Sequence, residues 1–256
     1  MPSKEGRFVP LRLKVATYNI HACVGRDACA DPQRIVRVLR ELNADVLALQ
    51  EVGGHSEAGS GLIHHLAAET GLQAIADTAP RRGARHFGNA LLTRLPVLTV
   101  NRVDLSWPHR EPRGALEVML DWRGLCVHTI ATHLGLMPAE RREQVRCLLG
   151  RFESRTADVS ILLGDLNEWL LWGRPLRWLR RHFPPTPNLR TFPARVPIFA
   201  LDRIWVDPRA ALIDIRVHDT PAARLASDHL PLKAELTREA PQFRSQQEQG
   251  THDCGG

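Results

Sequence analysis

Short apolar runs with a period of two alternate along the chain with segments whose apolar positions recur every three or four residues. LRLKVATYNI, Leu11 to Ile20, alternates and predicts a strand. DPQRIVRVLREL predicts a helix: Asp31 suits the N-cap, Pro32 the first turn, and Ile35, Val38, Leu39 and Leu42 fall on one face. ADVLALQE predicts a buried strand ending at Gln50 and Glu51, followed by a helix over 61–70 and a strand over 72–76. The middle is rich in strands: NALLTR, VLTVNRVDL, GALEVMLDW and LCVHTIATHL. MPAERREQVRCLLGRF then predicts a helix with Val145, Leu148, Leu149 and Phe152 on one face. The strand in ADVSILLGD leads to a tryptophan-rich helix around 171–183 and a loop, PPTPNLRTFPARVP. The chain closes with ALDRIWV, ALIDIRVHDT, ASDHL and PLKAEL. No repeat or interior linker is visible, so the pattern predicts one α/β domain over 11–236. Residues 1–10 are expected to be a flexible N-terminus, and 237–256, polar and poor in apolar residues, a disordered tail.

Composition narrows the classes. The hydrophobic share of 43% suffices for a core, and no run reaches the length that spans a bilayer. The start, MPSKEGRFVPLRLKV, lacks the apolar region of a secretory signal, so a soluble, cytoplasmic protein is expected. Five cysteines, at 23, 29, 126, 147 and 254, fit neither a disulfide framework nor a zinc site and read as free thiols. A net charge of +6 favours anionic partners without choosing among nucleic acid, phosphorylated small molecules and acidic lipid.

The chemistry gathers at strand ends. Asn19 ends the first strand, Glu51 another, and ATHL places His133. GDLN places Asp165 and Asn167, ALDRI places Asp202, and ASDH places Asp228 and His229. If the strands share one sheet edge, these groups converge. Carboxylates at Glu51, Asp165 and Asp228, with amide oxygens at Asn19 and Asn167, suit a hard divalent ion, Mg²⁺ or Mn²⁺, better than zinc. Histidines add acid–base capacity, and the set points to phosphoester hydrolysis.

The motifs TYNIH, LQE, GNALLTRLPV, RGAL, ATHL, GDLN, LDRIWV and SDHLPL, in that order, resemble those of the endonuclease/exonuclease/phosphatase superfamily. The resemblance implies a four-layer α/β sandwich: two mostly antiparallel sheets face to face, with helices outside. It makes Glu51 the principal metal ligand with Asn19 beside it. Asp165 would orient or deprotonate the attacking water, and Asn167 would hold a phosphate oxygen. His229, oriented by Asp202, would contact the scissile phosphate or relay a proton, and Asp228 would serve the metal or support His229. His133 is a candidate acid for the leaving oxygen. Deoxyribonuclease I and the abasic-site endonucleases carry a central tyrosine that contacts the phosphate; here the only tyrosine is Tyr18, in the first strand.

Some readings rest on the residues alone. Arg113 could clamp a phosphate oxygen in bidentate fashion. Arg81, Arg82, Arg85 and His86 form a basic loop that could reach a phosphate backbone. With the net charge, that loop tips the expected substrate toward nucleic acid, ahead of a phospholipid or a soluble phosphate ester. In EWLLWGRPLRWLRRHF, tryptophans mingle with arginines, as in base-stacking or lipid-interface segments. The favoured expectation there is a helix that packs its tryptophans inward and points its arginines out. His55, His64 and His65 read as loop or surface residues, and Asp104 and Glu117 match no recognisable role.

Overall fold

The computed structural model describes residues 8–53, 58–77 and 88–241. Among these, eleven strands form two sheets. The first contains β1 (Phe8–Asn19), β2 (Val46–Val52), β3 (Gln73–Ala76), β4 (Gly88–Thr93), β10 (Leu212–Val217) and β11 (Leu232–Pro241), in the order β10-β11-β1-β2-β4-β3. The second runs in sequence order: β5 (Val97–Asp104), β6 (Gly114–Trp122), β7 (Leu125–His133), β8 (Val159–Asp165) and β9 (Asp202–Asp207). Each sheet is antiparallel except for one central pair, β1 with β2 and β7 with β8. A parallel pair needs a crossover, and the helices α1 (Pro32–Leu42) and α3 (Pro138–Glu153) supply the two.

Three apolar clusters define four layers. Leu13, Val15, Val46, Val118, Ile161 and Ile204 belong to the core between the sheets. The outer face of the six-stranded sheet packs on α1, α2 (Ala58–Thr70) and α5 (Pro221–Ala226) through Tyr18, Ile35, Leu39, Leu66 and Ala223. The outer face of the other sheet packs on α3 and α4 (Arg174–His182) through Ile130, Leu148, Phe152, Leu179 and Trp205. Full burial of each large apolar side chain contributes about 1.5–3 kcal/mol, so these three seams carry the fold. Local signals agree with them. The Asp31 carboxylate accepts from Gln33 N at the start of α1, and Asn43 ends that helix with a left-handed φ of 44°.

The structure corrects the sequence reading in three places. β1 and β11 pair from Phe8 opposite Pro241, so residues 8–10 and 237–241 are strand rather than flexible flank. A ladder between the two terminal strands satisfies their backbone groups whatever the side chains. The helix expected around 171–183 starts only at Arg174. Of its tryptophans, Trp178 is half-buried against the core, whereas Trp169 and Trp172 are exposed, the latter by 72%. The basic loop at Arg81, Arg82, Arg85 and His86, and also His55, Cys254 and residues 242–256, lie outside the described residues. The other four cysteines are free thiols. Among the described residues no helix is long and apolar enough to cross a membrane.

Candidate active site

Period-two alternation carries the inter-sheet core directly into a polar rim. In β1, Leu11, Leu13 and Val15 face the other sheet, and continuing that face reaches Asn19. In β7, Val127 and Ala131 lead to His133; in β8, Val159, Ile161 and Leu163 lead to Asp165. Asp202 opens β9 on the face of Ile204 and Val206. The ladder sets His133 opposite Asp165, and Asp165 opposite Asp202.

Glu51 breaks the rule. Leu47 and Leu49 face the helices, and alternation would send Glu51 the same way. Glu51 instead adopts a left-handed φ of 56°, where the register of β2 with β4 shifts between Leu49 and Val52. This irregularity turns its carboxylate into the pocket, a common use of a bulge beside a site. Asn167 is likewise left-handed, with φ 50°. At Gly164, φ is 146° and a Cβ would sit 1.9 Å from Thr132 O, so only glycine lets β7 and β8 close just before Asp165.

One carboxylate oxygen is the hub. Asp165 Oδ2 accepts from Asn19 Nδ2 at 3.2 Å and lies 3.5 Å from His133 Nε2 and 3.7 Å from His229 Nε2. Asn19 Nδ2 also donates to Glu51 Oε1 at 2.9 Å, so this amide ties the rims of both sheets together. The other Asp165 oxygen accepts from Asn167 N at 2.9 Å, a local turn rather than the cap of a following helix.

The two histidines are in opposite states. Arg113 Nη1 lies 3.1 Å from His133 Nδ1 and Asn167 Nδ2 lies 3.0 Å from Nε2; both groups only donate, and a neutral imidazole accepts at one nitrogen, so only one of the two contacts is a hydrogen bond. The same Asn167 nitrogen donates to Leu134 O at 2.8 Å. Burial pushes His133 down to about 3 against the pull of Asp165, which favours the neutral ring near pH 7. Burial would push His229 down too, but the Asp202 and Asp165 carboxylates outweigh it and hold the imidazole up at about 10. Its Nδ1 bonds Asp202 Oδ2 at 2.8 Å, and Thr191 Oγ1 donates to that same oxygen at 2.5 Å.

All nine expected residues gather here. Glu51, Arg113, His133, Asp165, Asn167, Asp228 and His229 line a cavity of about 760 Å³. Asn19 and Asp202 stand behind it, bonded to Asp165 and His229. Asp228 is half-exposed, with Oδ1 3.7 Å from His21 Nδ1. Asp165, Asp202 and His229 present ligand atoms within 4.8 Å of one another, but Asp202 and His229 are already bonded together. The oxygen donors Glu51 and Asp228, with Asn19 beside them, fit a hard divalent cation better. Burial raises the Glu51 carboxyl, and Asn19 offsets part of that; no partner for its second oxygen occurs among the described residues.

Sequence reasoning missed several neighbours. Thr191, in TFP, holds Asp202, and Phe192 beside it packs its ring 4.7 Å from the His229 ring. Glu111 pairs with Arg113 at 2.9 Å. Leu136, Trp169 and Phe199 form an apolar wall of the cavity. Thr191 lies in the PPTPNLRTFPARVP loop, where no periodic pattern marks it, and Glu111 and the wall residues carry no signal either. Tyr18 belongs to the helix-facing core, away from the rim. Glu117, unassigned from sequence, is fully buried on the outer face of its sheet, bonded to His128 at 3.0 Å and to Arg151.

Known proteins resemble this chain in sequence or in fold. An uncharacterized protein of Escherichia coli K12, YbhP, is 30% identical over 92% of this chain and 99% of its own length. A solved endonuclease/exonuclease/phosphatase from Beutenbergia cavernae is similar at 25% identity and a TM-score of 0.69, over 88% of this chain and 71% of that one. A mannosyl-6-phosphatase from Bacteroides thetaiotaomicron shares the fold at 18% identity and a TM-score of 0.70, over 88% of this chain and 99% of that one. The endonuclease/exonuclease/phosphatase family description matches residues 16–229, and with the sandwich and its rim in place the chain belongs to that family.

Proposed function

We propose that this chain is a hydrolase of phosphodiesters that works with a divalent cation, Mg²⁺ or Mn²⁺. Family membership supports phosphoester hydrolysis as the reaction class. Glu51, with Asn19 and Asp228 beside it, would hold the cation. When bound, the cation supplies charge stabilisation for the phosphoryl and leaving oxygens.

The protein's own groups divide the rest. Asp165, buried and fixed by Asn19 and the backbone of Asn167, aligns a water and takes its proton. Arg113 and the Asn167 amide hold non-bridging phosphate oxygens. His229, cationic and locked by Asp202, offers its Nε2 proton to the leaving oxygen. The water oxygen forms the new bond to phosphorus, and the bond from phosphorus to the leaving oxygen breaks. The products are an alcohol and a phosphomonoester.

The observation that carries this reading is the meeting of Asn19, His133 and His229 on one oxygen of Asp165. The test is hydrolysis of bis(p-nitrophenyl) phosphate by the purified chain with Mg²⁺ or Mn²⁺. EDTA should abolish turnover and added cation restore it. Turnover indifferent to EDTA, or retained in Asp165→Asn, overturns the reading. The preference for nucleic acid rested on net charge and on a basic loop outside the described residues, so the character of the described rim becomes the better guide to substrate.

A further inference from the structure

Resting on that reading, we propose that the cavity mouth is a membrane-docking surface and that the substrate is the phosphodiester of a phospholipid in an anionic bilayer. Three separate segments bring large apolar side chains to the mouth. Leu136, exposed by 55%, and Met137 precede α3. The turn after GDLN exposes Trp169, Leu170, Leu171 and Trp172. The hairpin closed by the bridge of Phe192 with Phe199 exposes Ile198 by 55%, along with Phe199 itself. Leu136, Trp169 and Phe199 line the cavity, so the three segments border one opening.

The exposure is built in. Buried Arg141 donates to Leu136 O at 2.5 Å and to Glu168 Oε2 at 3.2 Å, and its guanidinium lies 5.4 Å from the centre of the Trp169 ring. Arg180 donates to Leu171 O at 2.7 Å, and Arg224 holds the hairpin through Ala194 O and Arg195 O. Polar groups beneath therefore fix a backbone that turns its apolar side chains outward. An ordered apolar patch at a hydrolase mouth marks a contact surface.

The chemistry of the patch selects the occupant. Trp169, Trp172 and Phe199 offer aromatic faces, but they stand among Leu136, Met137, Leu170, Leu171 and Ile198, which offer none, whereas nucleic-acid tracks are polar and basic. Aliphatic side chains with tryptophans at the edge suit the boundary between acyl chains and head groups. Beside them α4 carries Arg174, Arg177, Arg180 and Arg181 and no acidic residue, matching an anionic surface. A second copy docked through the same patch would bring two such helices together, like charge against like.

The test is flotation of the full chain, in EDTA and low salt, with equimolar phosphatidylglycerol–phosphatidylcholine vesicles, beside phosphatidylcholine alone. Trp172→Ser/Ile198→Ser lies outside the cavity lining. The chain should float with the anionic vesicles, and the double variant should bind at least about tenfold more weakly. With Mg²⁺ the variant should keep wild-type turnover of bis(p-nitrophenyl) phosphate while losing release of product from vesicle phospholipid. The inference is overturned if the wild type stays free of anionic vesicles or the variant floats equally well. It is also overturned if vesicle phospholipid is left intact by a chain that cleaves the soluble ester, if single-stranded DNA displaces the vesicles and is itself cleaved, or if sedimentation shows a dimer that the variant dissolves. Flotation needs no turnover, so docking can fail while hydrolysis of the soluble ester stands, and the reverse.

Discussion

The two strand–helix–strand units of the molecule arrive at the same rim and do different things there. The unit β1–α1–β2 brings Asn19 and a half-exposed Glu51 whose second carboxylate oxygen has no partner among the described residues. The unit β7–α3–β8 brings His133 and Asp165, both buried, with Asp202 alongside from β9. On the proposed function, the more open half would take the cation and the buried half would hold protons in fixed places. The difference teaches that burial, rather than residue type, divides the labour: carboxylates stand on both sides, but only Asp165 and Asp202 are buried among fixed donors and rings. The two histidines add a second lesson: both are buried, and desolvation leaves His133 neutral against the pull of Asp165, whereas Asp202 and Asp165 together outweigh it at His229.

The comparison can be broken at its centre. Asp165→Asn should lower kcat on a soluble phosphodiester by about 10³- to 10⁴-fold, the range of a positioned general base. Circular dichroism should show an unchanged fold. On the open side, Glu51→Gln should cost about 10²- to 10³-fold at fixed Mg²⁺, part of it recovered at high Mg²⁺. Asp165→Asn should gain nothing from added cation, and recovery of both variants alike would erase the division.

Asp202→Asn sharpens the pH side. The folded His229 keeps its proton to about 10, whereas an unfolded histidine loses it near about 6.5. Its contribution to stability is therefore complete below about 6.5 and lost as pH rises toward about 10. His133 works the other way: the folded ring resists protonation down to about 3, so stability falls as pH drops from about 6.5 toward that value. In Asp202→Asn the alkaline falls in both activity and melting temperature should move to lower pH, leaving the acid flank in place. An unmoved alkaline limit would take His229 out of the acid role. The rate loss at neutral pH should be about 10²-fold.

Smaller effects are expected farther out. Arg113→Lys keeps the charge but loses the planar fork, and KM should rise about tenfold with a lesser fall in kcat. Thr191→Val removes one donor from Asp202 and should slow turnover by about threefold to tenfold, equivalent to about 1 kcal/mol. Since Thr191 acts through Asp202, its loss should also shift the alkaline limit slightly downward, which a merely structural residue would not do.

The alternation of Leu13, Val15 and Asn19, and of Ile161, Leu163 and Asp165, was legible because side chains on a strand change face at every residue. Motif order made the family legible, and with it the layers. Glu51 could be named from its motif but not aimed, because alternation points it at the helices and only the backbone irregularity in β2 turns it round. Thr191, Glu111 and the apolar wall come from loops, whose course follows no period.

By itself, then, the sequence determined where most strands and the helices α1 and α3 lie, which of their faces are apolar, and which polar residues end the inter-sheet face; these follow from local periodicity. The tertiary structure alone decided that Asn19 joins the two rims, that His133 is neutral while His229 is charged, and that Trp169 and Trp172 face outward. Those depend on which distant groups come within a few ångströms and on how much water remains between them, quantities that no local pattern along a chain contains.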